Sequence, residues 1–198
     1  MSKLKEQFGP IDIYLFDQIL RGNISYGMTI FDAGCGSGRN LFYLLREGYE
    51  VFGVDADPSA IAVVRRIAPN LPLQSFRVEP VEDNSFPDGI ADVVISSAVL
   101  HFAQDDAHFR AMLLGSWSKL KQGGLFFCRL ASTIGIEALV KPIAGRWHAL
   151  PDGSERYLVD EAMLMELTRE LNGRLIDPIK TTVVQNQRSM TTWVVRKL

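Results

Sequence analysis

The stretch 30–40, Ile-Phe-Asp-Ala-Gly-Cys-Gly-Ser-Gly-Arg-Asn, constrains this chain more than any other part of it. An apolar run ends on Asp32, passes through Gly34, Gly36 and Gly38 at alternate positions, and enters a segment with helical spacing from Arg39 to Glu47. That order reads as strand, tight turn and helix. Alternate glycines admit backbone angles that a Cβ forbids, and they let a ligand approach main-chain N–H groups at the positive end of the following helix. The expected product is a site for a nucleotide-like ligand at the carboxyl end of a parallel strand.

The rest of the chain repeats the alternation. Leu41, Leu44 and Leu45 share a stripe that Gly48 stops before a strand over Glu50 to Asp55. Asp57 reads as an N-cap and Pro58 as the first residue of a helix that presents Ile61, Val64 and Ala68 and ends near Pro69. A strand around Leu73 to Val78 and a short link lead to another over Ala91 to Ser96. Asp105 caps a helix carrying Phe109, Met112, Leu113, Trp117 and Leu120, which Gly123 and Gly124 break before a strand over Leu125 to Leu130. Strand and helix in turn argue for an α/β fold, a parallel sheet with helices on both faces. Ahead of the first strand, Met28 to Asp32, a helix over about 8–21 carries two apolar stripes, Ile11, Leu15, Ile19 and Ile13, Phe16, Leu20, and is expected to be covered on two sides. Asp160 opens a last helix through Leu164, Leu167 and Leu171. Leu175 to Asn186 and Ser189 to Arg196, rich in Thr and Val, read as an antiparallel hairpin.

The periodicity fades between 131 and 157, where Gly135, Pro142, Gly145, Pro151 and Gly153 punctuate a mixed segment. So long a connection is usually functional, and a substrate lid is expected. The 198 residues hold no repeat or linker that asks for a second unit, so one domain over 1–198 is expected. A formal net charge of −2 supplies no field for nucleic acid, and no nucleic-acid partner is expected. Cys35 and Cys128 fit neither a metal motif nor a disulfide framework, which points to a reduced, cytoplasmic setting with no metal. The start, 1–8, leads into no uninterrupted apolar run of signal-peptide type. The longest near-apolar stretch, 91–103, contains Asp92, two serines and His101 and falls short of the roughly 20 residues a membrane span requires.

The sum of these parts resembles the class I S-adenosylmethionine-dependent methyltransferases, whose signature after the first strand is acid-x-Gly-x-Gly-x-Gly. Asp32, Gly34, Gly36 and Gly38 match it position by position, and Asp55 matches the acid that holds the ribose hydroxyls. The link over 82–94 and the Leu-Lys-Gln-Gly-Gly-Leu turn over 120–125 are similar to the family's approaches to its fourth and fifth strands. The resemblance implies a Rossmann-like, doubly wound, seven-stranded, mostly parallel sheet closed by the C-terminal antiparallel hairpin. It implies S-adenosylmethionine as cofactor, S-adenosylhomocysteine as product, and in-line methyl transfer to an acceptor. Its implied cofactor residues are Asp32, Gly34, Gly36, Gly38, Asp55 with the adjoining Ala56, and Ser96. Many members also carry an acid for the adenine amino group after the third strand. The corresponding place here falls near Pro80, which moves the expectation to Val81 and Glu82. Gly-Ser-Gly-Arg-Asn with the following Leu-Phe-Tyr-Leu and Gly-Tyr-Glu-Val is locally similar to tellurite-resistance-type methyltransferases.

His101, just past the fourth strand, lies where the family's acceptor pocket begins, and an unperturbed imidazole suits proton removal at neutral pH, so it is the candidate general base. Tyr14, Arg146, Trp147 and His148 join it as candidate acceptor contacts. The sequence Ser-Ser-Ala-Val-Leu-His after the fourth strand lacks the Asn/Asp-Pro-Pro-aromatic motif of enzymes that methylate amide or adenine amino nitrogens. With no basic stretch, a small-molecule acceptor and a monomer or homodimer are expected. Two readings stand beside this one. An NAD-dependent oxidoreductase would use the same sheet, but its fingerprint needs glycine at 37 or 39, where Ser37 and Arg39 stand. A non-catalytic S-adenosylmethionine-binding sensor or subunit would share every cofactor residue.

Overall fold

Neighbouring residues of a strand face opposite sides of its sheet, and the central strands here are apolar at nearly every position, so they need a core on each face. The computed structural model describes residues 3–198, and the first two residues of the charged start lie outside it. In β1, Thr29–Ala33, all five residues are buried. Ile30 packs with Leu15, Leu44, Ile61 and Val64 on one face, while Phe31 packs with Phe109, Leu113 and Leu164 on the other. The first face is covered by α2 (Ile13–Leu20), α3 (Phe42–Arg46) and α4 (Pro58–Ile67), and the second by α5 (Asp106–Ser118) and α6 (Glu161–Glu170).

Around β1 lie β2 (Glu50–Asp55), β3 (Phe76–Val78), β4 (Ala91–Ser97) and β5 (Leu120–Ala131), all parallel to one another. The hairpin of β10 (Lys180–Val184) and β11 (Arg188–Lys197) closes the β5 side antiparallel, giving the order β10-β11-β5-β4-β1-β2-β3. Beyond the seven expected strands, β9 (Gly173–Leu175) adds an eighth by pairing with β11. Because the order reverses beside β1, the carboxyl ends of β1, β2 and β4 open together, which is where ligands sit in doubly wound sheets.

Several boundaries differ from expectation for local reasons. The glycine turn runs to Leu41, so α3 begins only at Phe42. The helix α5 ends at Ser118 and Leu120 already belongs to β5, so Gly123, at φ +77, does not break the helix but sits at an irregularity inside the strand. A separate α1 (Lys3–Phe8) precedes the helix expected over about 8–21, which is shortened to α2: it starts at Ile13, where the Asp12 side chain caps it by accepting from the Tyr14 N–H at 2.9 Å. It is not covered on two sides. Leu15 is buried and Phe16 packs against Phe8 with the rings tilted, but Ile13 and Leu20 face solvent. The segment 131–157 forms a small antiparallel meander, β6 (Lys141–Ala144), β7 (Trp147–Ala149) and β8 (Glu155–Tyr157). A bridge between Ser132 and Val159 ties its base, and Leu150 and Leu158 pack on Ala131 beneath it.

Candidate functional site

The three glycines are alike in spacing and different in what they do. All have positive φ: +83 at Gly34, +52 at Gly36 and +83 at Gly38. A Cβ on Gly34 would lie 2.5 Å from Val99 Cγ2, so this residue lets the turn close against the segment after β4. A Cβ on Gly38 would lie 2.7 Å from Ile67 Cδ1 and 2.9 Å from Val64 Cγ2, so that glycine seats the turn on α4 and does not line the cavity described next. Around Gly36 no atom lies within 4 Å of a Cβ position, and the opening there belongs to a cavity of about 560 Å³.

That cavity is lined by Asp32 and the turn, by Asp55 and Ala56 at the end of β2, by Pro80, Val81 and Glu82 after β3, and by Ser97, Ala98 and Val99 after β4. Phe102, His108 and Met112 close it from the α5 side. Asp55 accepts from the Gly36 N–H at 2.8 Å through one oxygen and from the Asp57 N–H at 2.9 Å through the other. These bonds fix the carboxylate and leave further lone pairs for hydroxyl donors. Asp32 is buried, and burial followed by the neighbouring Asp55 charge pushes its carboxyl up to about 7, against the opposing pull of Arg39. The Val81 carbonyl is committed to Asn84 Nδ2 at 2.9 Å, so its N–H is the backbone group free for a ligand. His108 Nδ1 accepts from the Gln104 N–H at 3.2 Å, which leaves Nε2 as the donor to Glu82 at 3.3 Å.

A second cavity of about 260 Å³ shares two residues with the first, Arg39 and Ala98. Ala98 sits at φ 65, a strained angle for a residue with a Cβ, and its N–H donates to the Arg129 carbonyl at 2.7 Å. His101 lines this second cavity, not the first. Its Nδ1 accepts from the Ala131 N–H at 3.1 Å, and burial first, with the Arg156 charge second, holds its pKa down at about 4. The imidazole is therefore neutral with its proton on Nε2. It enters the site as a hydrogen-bond donor, and the general-base part expected for it has no nitrogen left to accept a proton at neutral pH.

Other expected contacts stand elsewhere. Ser96 is fully buried beside Cys128 and its neighbour Ser97 faces the larger cavity, because successive strand residues alternate sides. Tyr14 bonds Thr182 at 2.6 Å and lies 5.5 Å beneath the Arg129 guanidinium, tying α2 to β10 outside both cavities. Arg146 pairs with Asp160 at 2.8 Å, the Trp147 indole N–H reaches Glu155 at 3.3 Å, and His148 donates to the Arg146 carbonyl at 2.8 Å, so these three hold the meander together. The meander's contribution to the smaller cavity comes instead from Leu150, Asp152, Ser154 and Arg156. The sequence signalled none of these, nor His108 or Met112, because cavity lining from separate elements leaves no local pattern.

Among the described residues no group of three or more His, Cys, Asp or Glu is placed to hold a metal ion, and no helix is long and apolar enough to cross a membrane.

The model of a family described as a methyltransferase domain matches residues 31–128. A Synechocystis protein described as an uncharacterised methyltransferase is 34% identical over 103 residues, which cover 52% of this chain and 47% of the relative. The chain thus spans about half the length of that curated relative. The crystal structure of an S-adenosylmethionine-dependent methyltransferase from Methanosarcina mazei is similar with a TM-score of 0.74 at 20% identity, over 91% of this chain and 97% of that one. The 1,6-didemethyltoxoflavin-N1-methyltransferase of Burkholderia thailandensis, solved with 1,6-didemethyltoxoflavin and S-adenosylhomocysteine bound, gives 0.70 at 18% identity over 98% and 81%. At such identities the structural likeness speaks for the fold.

Proposed function

We propose that the chain is a class I S-adenosylmethionine-dependent methyltransferase that transfers the sulfonium methyl, in line, to a small-molecule acceptor, a reading supported by the methyltransferase-domain match over residues 31–128 and by the 34% identical relative. The observation that carries this reading is the 560 Å³ cavity at the carboxyl ends of β1, β2 and β4, with an open glycine on its floor and a fixed carboxylate beside it. Its volume falls in the range of about 300–1,000 Å³ usual for small-molecule sites.

The residues present suit the donor. Asp55, held by two backbone N–H groups, accepts from the ribose hydroxyls, and the Val81 N–H with Glu82 serves the adenine edge. Gly36 leaves space for the methionine part, and buried Asp32 pairs with its ammonium group, which would draw the carboxyl back to its charged form. The sulfonium supplies an activated methyl, whose bond to sulfur breaks with the electron pair left on sulfur as an acceptor lone pair forms the new bond. The chain's part is to hold acceptor and methyl about 3 to 3.5 Å apart and aligned, which supplies roughly 7 to 11 kcal/mol of the barrier. In this reading acceptor and methyl meet beside Ala98 and Arg39, a placement supported by both residues lining the two cavities. His101 donates from Nε2 toward the acceptor side.

Thermal-shift titration with S-adenosylmethionine, S-adenosylhomocysteine and NAD tests the cofactor. A ligand at 100 times its dissociation constant should stabilise the chain by about 2.7 kcal/mol. Stabilisation by NAD alone would sink the proposal. Turnover of a labelled methyl group against a set of small molecules separates an enzyme from a sensor.

A further inference from the structure

The smaller cavity has a charge pattern that nothing above uses. Arg39 from the glycine turn, Arg129 from β5, Arg156 from β8 and Arg188 from β11 all line it, against one carboxylate, Asp152. The whole chain carries a formal net charge of −2, so this is a local concentration of positive charge and not a reflection of composition. Three of the four, Arg39, Arg156 and Arg188, make no ion pair among the described residues. Arg39 reaches only the Ser97 hydroxyl, at a long 3.4 Å, and Arg156 donates to the Glu155 carbonyl while its guanidinium lies 4.8 Å over the Phe102 ring.

Arg129 differs from the others because it is anchored. Its Nη1 donates to Asp12 at 2.8 Å, and Asp12 is itself fixed as the α2 cap and through its N–H to Asn40 Oδ1 at 3.0 Å. Yet the Arg129 Nε proton is buried without an acceptor. Buried polar groups are nearly always satisfied, so the Asp12 pairing leaves the Arg129 guanidinium one acceptor short. His101 adds a neutral Nε2–H to the same wall.

We propose that this cavity binds an anionic group of the methyl acceptor, a carboxylate or a phosphate, and uses it as the handle that points the nucleophile at the Ala98 edge. The planar guanidinium matches both acids through paired N–H donors, whereas a neutral acceptor would leave the clustered charges uncompensated. The assignment rests on the methyltransferase reading for its purpose, though not for its binding chemistry. Specificity follows from the same arrangement, because an acceptor whose acid is masked as an amide or ester leaves the guanidiniums and the His101 donor without partners.

The test is isothermal titration of the S-adenosylhomocysteine-saturated chain with benzoate, phenyl phosphate and the neutral benzamide. The two acids should bind at least about tenfold more tightly than benzamide, their ranking telling carboxylate from phosphate. In the double variant R156Q/R188Q the acids should fall to within about threefold of benzamide, while S-adenosylhomocysteine affinity stays within about twofold, since neither arginine lines the larger cavity. D152N, which keeps the oxygen that accepts from Ser154, should tighten the acids about threefold. Benzamide binding as tightly as the acids, undiminished acid binding in R156Q/R188Q, or no binding of either acid overturns the proposal. Failure of S-adenosylhomocysteine to bind at all instead overturns the methyltransferase reading, and the same acid titrations on the free chain still decide the anion site.

Discussion

The two cavities open at the same end of the sheet, share Arg39 and Ala98, and have opposite electrical character. The larger is lined by three carboxylates, Asp32, Asp55 and Glu82, and the smaller by four arginines. On the acidic side Asp55 is held by the Gly36 and Asp57 N–H groups and Glu82 by His108, and the set suits a cationic donor. On the basic side they come from four elements far apart in sequence and suit an anionic acceptor. The contrast teaches a division of labour. In the proposed reading the methyl donor is received by residues that follow β1, β2 and β3, and the acceptor by residues gathered from a turn, two sheet strands and a meander.

The largest separable effect concerns Asp32 and pH. With its folded pKa raised to about 7, the carboxyl keeps its proton between about pH 4 and 7 in the native state and loses it in the unfolded chain. Its contribution to stability is therefore fully present below about pH 4 and is lost as the pH rises through 7. D32N removes this dependence, so the variant without ligand should exceed the parent's stability by up to roughly 4 kcal/mol at pH 8 and converge with it below pH 4. Denaturant unfolding across that range measures the difference, and a pH-independent gap would mean that Asp32 is not held in the environment described. S-adenosylmethionine should narrow the gap, because its ammonium group rescues the charged form in the parent only.

Next in size is the ribose end. D55A removes an acceptor whose hydrogen bonds to a charged group are worth about 1.5 to 3 kcal/mol, so S-adenosylhomocysteine affinity should drop about 10- to 100-fold by calorimetry. R156Q/R188Q should leave that affinity almost untouched. Equal losses in the two variants would erase the distinction between the cavities.

The glycines sharpen the comparison within the acidic side. G38A meets both a positive φ and the α4 side chains at 2.7 and 2.9 Å, and should cost about 2 kcal/mol of stability, or about 4 to 8 °C in Tm. G36A, with open space around it, should cost about 1 kcal/mol and lose cofactor affinity out of proportion to that. The reverse pattern in thermal-shift and binding data would exchange the parts assigned to the two residues.

What the sequence disclosed follows the same divide. The parallel core was legible because its apolar runs, Asp57, Asp105 and Asp160 caps and terminal Thr/Val hairpin are local signals, each decided by a few neighbouring residues. The acidic motif was legible for the same reason. The meander was not, since three short strands whose residues, apart from the buried Tyr157, are exposed or half-buried carry no apolar alternation. The choice between Ser96 and Ser97 depended on one step of strand register, and the arginine set depended on tertiary placement alone. Arg39 shows the limit best. Its position spoke against a dinucleotide spacing, yet only the fold brings it to the wall between the two cavities.

The smallest expected effect is at His101, and it bears on which side of the wall does chemistry. A residue acting as general base would place an ionisation near 6.5 on the rate and would lose orders of magnitude on replacement. A neutral donor held by the Ala131 N–H behaves differently. With its pKa lowered to about 4, the native imidazole stays uncharged where the unfolded one takes a proton, so its contribution to stability is present above about pH 6.5 and fades as the pH falls toward 4. H101N offers an oxygen to Ala131 and an amide donor to the cavity, and should keep kcat within about tenfold while raising KM for an anionic acceptor. Its kcat against pH should run parallel to the parent's from pH 6 to 9. A loss well beyond tenfold together with a vanished acidic limb near pH 6.5 would return the base to His101 and make the basic cavity a catalytic surface as well as a binding one.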